Sequence, residues 1–135
     1  MFAFEQPILF KHCDPAGIVF YPRYFEMMND CVEAFFDRLV GWPFKEIHKG
    51  GAIPTAEIRT QFKAPCRLGD QLALTLAITR VGRTSCGIAI TADCAGDRRF
   101  ETELTLVNVN AGGRPAVWPE RVKNRFQETK ESQDQ

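Results

Sequence analysis

Four segments after residue 52 alternate apolar and polar residues strictly enough to constrain the fold. They cover residues 53–62, 70–80, 85–93 and 99–110. The residues on one side, mostly apolar, are Ala56, Ile58, Thr60 and Phe62, then Leu72, Leu74, Leu76 and Ile78, then Cys86, Ile88, Ile90 and Ala92, then Phe100, Thr102, Leu104 and Leu106. Alternation with a period of two is typical of strands in an antiparallel sheet that is covered on one face. The breaks after the second and third segments are short enough for hairpins, so the last three strands should form a meander.

One long helix is predicted before these strands, from about Pro22 to Val40. Its apolar residues follow steps of three and four, which makes a single broad stripe: Phe25, Met28, Val32, Phe35 or Phe36, and Leu39. Residues 6–11 suggest a short first strand. One striped helix and five strands predict an α+β fold in which an antiparallel five-stranded sheet wraps around one long central helix.

The chain of 135 residues is expected to form one domain over residues 1–126. Residues 127–135 are polar throughout and are expected to form a frayed tail, after a final turn or short helix near residues 117–122. The net charge of zero weighs against nucleic acid and against an anionic membrane surface as partners. No apolar run approaches the roughly 20 residues that a membrane span needs.

The cysteines bear on the cellular compartment of the protein, and the histidines bear on metal binding. Its five cysteines are odd in number and include no Cys-x-x-Cys pair, which predicts reduced thiols in a cytoplasmic protein. The N-terminus lacks the features of a signal peptide. The two histidines lie far apart in the sequence, which weighs against a zinc site.

A tight turn directly before the predicted helix places a carboxylate near the helix N-terminus. Asp14-Pro15-Ala16-Gly17 has the residues that a type I turn prefers at its first, second and fourth positions. Pro22 suits the first turn of a helix. The residue types alone are more typical of a plain turn, in which the Asp14 side chain only holds the backbone.

The stretch from Asp14 to Tyr24, Asp-Pro-Ala-Gly-Ile-Val-Phe-Tyr-Pro-Arg-Tyr, resembles the motif of the 4-hydroxybenzoyl-CoA thioesterase family. The resemblance implies a hotdog fold and hydrolysis of an acyl-CoA thioester, with no cofactor beyond the coenzyme A of the substrate. It implies Asp14 as nucleophile or general base and the backbone N–H of Tyr21 as the group that polarises the carbonyl. It also implies a homodimer with active sites at the interface, or a homotetramer.

Further site residues follow from this resemblance. Phe20, Tyr24 and Phe25 are expected to line the acyl pocket, although aromatic residues there serve equally well as core. His12 is also expected to contact the substrate. It departs from several relatives and so bears on the acyl preference, which the sequence leaves open. For the phosphates of coenzyme A, the candidates at a predicted hairpin are Arg80, Arg83, Thr84 and Ser85.

Alternatives stay open for both the residues and the activity. Other hotdog thioesterases use a carboxylate on the long helix, which makes Asp30 or Glu33 a rival to Asp14. Cys13 and His12 are poorly placed as a nucleophile pair, because neighbours in an extended segment point to opposite faces. The rival activities are an acyl-ACP thioesterase, a dehydratase, and a non-catalytic acyl-CoA binding protein.

Overall fold

The computed structural model describes residues 1–134. Its strands are β1 (Phe2–Pro7), β2 (Gly51–Ala52), β3 (Thr55–Phe62), β4 (Gln71–Val81), β5 (Ser85–Cys94), β6 (Asp97–Val107) and β7 (Val109–Asn110). Its helices are α1 (Pro22–Phe35), α2 (Phe44–Ile47) and α3 (Glu120–Gln133), and a 3-10 turn covers Phe10–His12. No helix within residues 1–134 is long and apolar enough to cross a membrane.

A five-stranded antiparallel sheet in the order β1-β4-β5-β6-β3 forms the body of the fold. β4, β5 and β6 pair in sequence, which confirms the predicted meander. Side chains on β4 and β6 alternate between buried and exposed, as expected for a sheet covered on one face. β2 and β7 form a separate two-stranded sheet. The strand at one edge, β3, is almost entirely exposed.

The first strand lies earlier than the predicted range of residues 6–11. β1 runs from Phe2 to Pro7 and pairs with β4 from Leu76 to Gln71. Phe2 and Phe4 are half-buried and face the core, so the alternation begins at residue 2. Pro7 has no N–H for a further ladder hydrogen bond, and the chain then turns into the 3-10 segment.

The predicted helix is present, but its last turn is not α-helical. Fourteen residues form α1, and the next five, Phe36–Val40, form a π-helical turn that ends at Gly41 with φ of 75°. The sheet with its helix is therefore confirmed, whereas the α-helix is shorter than the predicted single long rod. The residues buried on it are Tyr24, Met27, Met28, Cys31, Val32, Ala34, Phe35, Phe36 and Val40, while Phe25 and Leu39 lie at the edge of the stripe.

The C-terminal segment corrects the expected frayed tail. Residues 127–133 belong to α3, and Gln135 lies outside the described residues. Val122 and Phe126 are fully buried, and the ring of Phe126 contacts the rings of Phe35 and Trp118 at centroid distances of 6.5 and 5.0 Å. Tertiary packing of these few apolar side chains holds a helix whose sequence is otherwise polar.

The end of α3 also completes the edge of β4. The ladder with β1 stops at Leu76, and beyond it the side-chain amide of Gln133 pairs with the backbone of Ile78. Gln133 Nε2 donates to Ile78 O, and Ile78 N donates to Gln133 Oε1, both at 2.9 Å. The amide thus takes the place of a neighbouring strand at this residue.

We expect Gln133→Ala to lower the free energy of unfolding by about 1–3 kcal/mol, because it leaves both Ile78 groups without partners. Urea denaturation of the parent and the variant measures the difference. Gln127→Ala is the matched control, since Gln127 is exposed on the same helix. Equal losses in the two variants would mean that the contact with Ile78 contributes nothing specific.

Candidate active site

The turn at residues 14–17 forms as predicted. Asp14 O accepts a hydrogen bond from Gly17 N at 2.9 Å, and Asp14 Oδ1 accepts one from Ala16 N at 2.8 Å. Gly17 has a φ of 82°, a conformation that residues with a Cβ rarely adopt. Asp14 is half-buried, and its Oδ2 accepts no hydrogen bond from the described residues. Oδ1 of Asp14 therefore stabilises the turn, and Oδ2 is available to contact a substrate or a water molecule.

The N-terminus of α1 offers a free backbone donor close in sequence to this carboxylate. Tyr21 is the N-cap residue, and Pro22 has no N–H. The next two N–H groups donate to nearby carbonyls, Arg23 N to Phe20 O at 2.8 Å and Tyr24 N to Tyr21 O at 3.1 Å. Within residues 1–134, the N–H of Tyr21 donates to no group. A free N–H at the positive end of a helix suits an oxygen that becomes negative.

His12 lies behind this site and holds the backbone. Leu9 N donates to its Nδ1 at 2.9 Å, and Phe20 N donates to its carbonyl oxygen at 2.9 Å. The side chain is buried, and burial, aided by the charge of Lys11, lowers the pKa of the imidazole. The ring is therefore neutral near pH 7, and as an acceptor Nδ1 leaves the proton on Nε2. His12 has little surface for a ligand, in contrast to the expected substrate contact.

We expect the protein to lose stability as the pH falls below the ordinary histidine pKa of 6.5, because His12 is harder to protonate in the folded state. The unfolded chain then binds more protons, which favours unfolding. His12→Asn keeps an acceptor for Leu9 N but does not titrate, so its melting temperature should fall less between about pH 8 and about pH 5.5. His48→Asn is the control. An unchanged pH dependence in His12→Asn would contradict this assignment.

The predicted aromatic residues separate into exposed and buried sets. Phe20 and Tyr21 are exposed, with ring centroids 5.9 Å apart. The ring of Phe62, at the end of β3, contacts the rings of Tyr21 and Phe25 at centroid distances of 6.4 and 6.2 Å. Phe62 therefore packs against the first turn of α1 and the residue before it. Tyr24 is instead a core residue, only 5% exposed, which leaves it almost no surface toward a ligand.

A cavity of about 580 Å³ lies between α1 and the β3 side of the sheet, one helical turn beyond Tyr21. Its lining is mostly apolar and includes Phe25, Met28, Val32, Phe44, Ile58 and Leu106, with the polar groups of Asn29, His48 and Thr55. Only Phe25 of the predicted pocket residues contributes to it. Sequence reasoning missed the others because they come from four separate segments.

Comparison with known proteins identifies the family. Residues 8–126 match the model of the thioesterase-like superfamily. The chain belongs to the thioesterase-like superfamily. A search of curated proteins gave no match.

Solved structures agree with this family and its hotdog fold. A 1,4-dihydroxy-2-naphthoyl-CoA thioesterase from Synechocystis is 18% identical with a TM-score of 0.87, and covers 94% of this chain and 96% of its own. A gentisyl-coenzyme A thioesterase is 26% identical with a TM-score of 0.85, and the match covers 92% of this chain and 98% of that thioesterase. A thioesterase from Thermus thermophilus, complexed with coenzyme A and Zn, is 22% identical with a TM-score of 0.82. The match covers 96% of this chain and 93% of that thioesterase.

In this thioesterase-superfamily chain, the predicted coenzyme A residues lie far from Asp14. Arg80 Nη1 donates to Ser85 Oγ at 3.1 Å, and Arg83 is exposed at the tip of the β4–β5 hairpin. The carbonyls of Thr84 and Ser85 accept hydrogen bonds from Asn108 N and Trp118 Nε1. The Asp14 turn lies at the opposite end of β4, whose 11 residues span roughly 35 Å. One chain therefore does not bring the two sets together.

The rival carboxylates lie on the exposed face of α1. Asp30 lines a small cavity of about 200 Å³ together with His12 and Glu26. Glu33 lines a separate surface groove with Asp37. Neither has a free helix N-terminus beside it, which distinguishes both from Asp14. The described residues contain no group of three or more His, Cys, Asp or Glu that could hold a metal ion.

Proposed function

We propose that this protein hydrolyses an acyl-CoA thioester to a carboxylic acid and coenzyme A. The observation that supports this most directly is that Asp14 has a carboxylate oxygen without a hydrogen bond and that Tyr21, seven residues later, has a backbone N–H without an acceptor among residues 1–134. The family places thioester chemistry on this scaffold. A helix N-terminus and one carboxylate supply both functions that acyl transfer needs.

In the proposed reaction the thioester carbonyl oxygen accepts a hydrogen bond from Tyr21 N–H while the carbonyl carbon is attacked. Asp14 Oδ2 either attacks the carbon, forming a mixed anhydride that water then hydrolyses, or takes a proton from the water that attacks. In both routes the C–S bond breaks and the thiolate of coenzyme A takes up a proton. The water supplies the oxygen of the new carboxylate, and no cofactor is needed.

The acyl group is proposed to be a hydroxylated aromatic acid of the 4-hydroxybenzoyl type. The cavity next to Phe25 is lined by aromatic and aliphatic side chains, which suits a ring. His48 Nδ1 donates to Phe44 O at 2.7 Å, so Nε2 is the ring nitrogen left for a substrate hydroxyl. The names of the two solved thioesterases above, gentisyl and dihydroxynaphthoyl, also denote hydroxylated aromatic acyl groups.

The working enzyme is proposed to be a homodimer that pairs along β3, or a homotetramer made of two such dimers. β3 is an unpaired edge with exposed apolar side chains, Ile58 at 41% and Phe62 at 47% exposure. Antiparallel pairing of two β3 strands would bring the hairpin of one copy to the Asp14 end of the other. Arg80, Arg83, Thr84 and Ser85 of the second copy would then reach the coenzyme A. The five free cysteines support a cytoplasmic location.

Thiol release from a panel of aromatic and aliphatic acyl-CoA thioesters tests the reaction. We expect hydrolysis, fastest with hydroxylated aromatic acyl groups. Melting temperatures with the same esters separate the alternatives. If the esters raise the melting temperature but no thiol appears, the protein is an acyl-CoA binding protein and the proposed reaction is wrong. Hydrolysis of acyl-ACP alone would shift the proposal to the carrier-protein substrate.

Mixing inactive variants tests the shared site. One variant carries Asp14→Asn, and the other carries both Arg80→Ala and Arg83→Ala. If each site uses Asp14 of one copy and the hairpin of the other, a mixed dimer has one intact site and activity returns on mixing. If each site lies within one chain, both sites of the mixed dimer are defective, activity stays lost, and the shared site is disproved.

A further inference from the structure

The loop between β3 and β4 is closed by a single guanidinium from β6. Arg99 Nη1 donates to Pro65 O and to Asp70 Oδ2, both at 2.8 Å. The side chains of Arg99 and Asp70 are only 15% and 26% exposed. Asp70 Oδ2 also accepts from Arg67 N at 2.9 Å, and this bond and the Arg99 guanidinium hold the pKa of Asp70 below its ordinary value. One ion pair therefore ties the beginning of the loop to its end.

The same loop is held from the other side by α1. Cys66 N donates to the hydroxyl of Tyr24 at 3.1 Å, and the Tyr24 ring lies between Phe62 and Phe100 at 5.4 and 5.3 Å. Arg99 Nε is buried beside the Cys66 thiol and has no hydrogen-bond partner within residues 1–134. Burial raises the pKa of that thiol, so it stays neutral. The role of Cys66 in this loop therefore comes from its backbone N–H, which bonds to Tyr24, and not from its thiol.

The catalytic turn proposed above rests directly on this loop. Val19 N donates to Cys66 O at 2.9 Å, and Ile18 pairs with Arg67 in an antiparallel bridge. Ile18 O in turn accepts from Asp14 N at 2.9 Å. The position of the Asp14 backbone is therefore set by the loop residues that Arg99, Asp70 and Tyr24 hold in place.

We propose that Arg99 is a positioning residue for the thioester hydrolysis, acting through Asp70 and the loop to set Asp14 against Tyr21 N–H. This rests on the proposed function. Arg99 Nη1 donates to two groups of the protein, and its side chain is only 15% exposed, so it offers little surface to a phosphate of coenzyme A. Its removal should therefore slow the chemical step and leave substrate binding almost unchanged, since a small misplacement far from the chemistry costs about 10²-fold in rate.

The variants are Arg99→Gln, Arg99→Lys and Arg98→Gln. Arg98 is the matched control, because it is the neighbouring residue on β6 and forms ion pairs with Asp93 and Glu101 at 2.7 and 2.8 Å. We expect Arg99→Gln to lower kcat by about 10²-fold with little change in KM. Arg99→Lys keeps the charge for Asp70 and should recover part of kcat. Arg98→Gln should have the parental kcat and KM.

Amide hydrogen exchange gives a second readout that does not depend on activity. Arg99→Gln should speed exchange over residues 13–20, where Asp14 N and Val19 N are hydrogen-bonded, and leave β4 and β5 protected. Parental kcat and parental exchange in Arg99→Gln would overturn the inference. Exchange that rises equally across the sheet would also overturn it, by showing a role in global stability alone. If the parent hydrolyses no thioester, the proposed function fails, and faster exchange confined to residues 13–20 then shows only that Arg99 holds the Asp14 turn in place.

Discussion

Asp14→Asn is expected to remove nearly all thioester hydrolysis and to leave the fold intact. Asparagine keeps a side-chain oxygen that can accept from Ala16 N, and the backbone bonds to Gly17 and Ile18 do not involve the side chain. The neutral amide, however, neither attacks a carbonyl nor takes a proton from water. The loss should be about 10²–10⁴-fold in kcat, the contribution of a positioned acid–base group. Thiol release under saturating substrate measures it, and the melting temperature verifies the fold.

Asp30→Asn and Glu33→Gln are the matched controls for Asp14→Asn. Both residues are exposed carboxylates on α1, so each variant removes one negative charge from the same region of the molecule. We expect both to hydrolyse thioesters at close to the parental rate. A parental rate in Asp14→Asn, together with a loss in Asp30→Asn or Glu33→Gln, would move the catalytic carboxylate onto the helix.

The sheet could be predicted from the sequence because its pattern is local. Each of β4, β5 and β6 is long enough to show the period of two, and the hairpins between them are only a few residues long. The turn at Asp14 was predictable for the same reason, since four consecutive residues determine it. The first strand was misplaced because Phe2 and Phe4 alternate over too few residues to stand out against Pro7-Ile8-Leu9-Phe10.

Elements that depend on distant partners could not be predicted. α3 is polar apart from Val122 and Phe126, and it forms because these two reach the core beside Phe35. Tyr24 fits the apolar stripe of α1, yet its position follows from Cys66, which lies 42 residues later in the sequence. The same holds for Arg99 with Asp70. These contacts arise only when folding brings the loop between β3 and β4 against α1 and β6.

Tyr21→Pro is expected to lower kcat by about 10²–10³-fold, the cost of removing one donor from an oxyanion site. Proline has no N–H, so the change deletes the proposed donor to the thioester carbonyl. Its ring also fits the backbone, because Tyr21 has a φ of −54° and proline prefers about −65°. The melting temperature and circular dichroism of the variant verify that α1 still forms.

Tyr21→Ala separates the backbone from the ring. It removes the same aromatic ring, which is 61% exposed, but keeps the N–H, so its kcat should fall far less than that of Tyr21→Pro. The ratio of the two rates therefore measures the N–H alone. Equal rates in the two variants would show that the N–H of Tyr21 does not polarise the carbonyl, and the oxyanion would then need another donor. A higher KM in Tyr21→Ala with an unchanged kcat would assign the ring to substrate binding, independently of the backbone role.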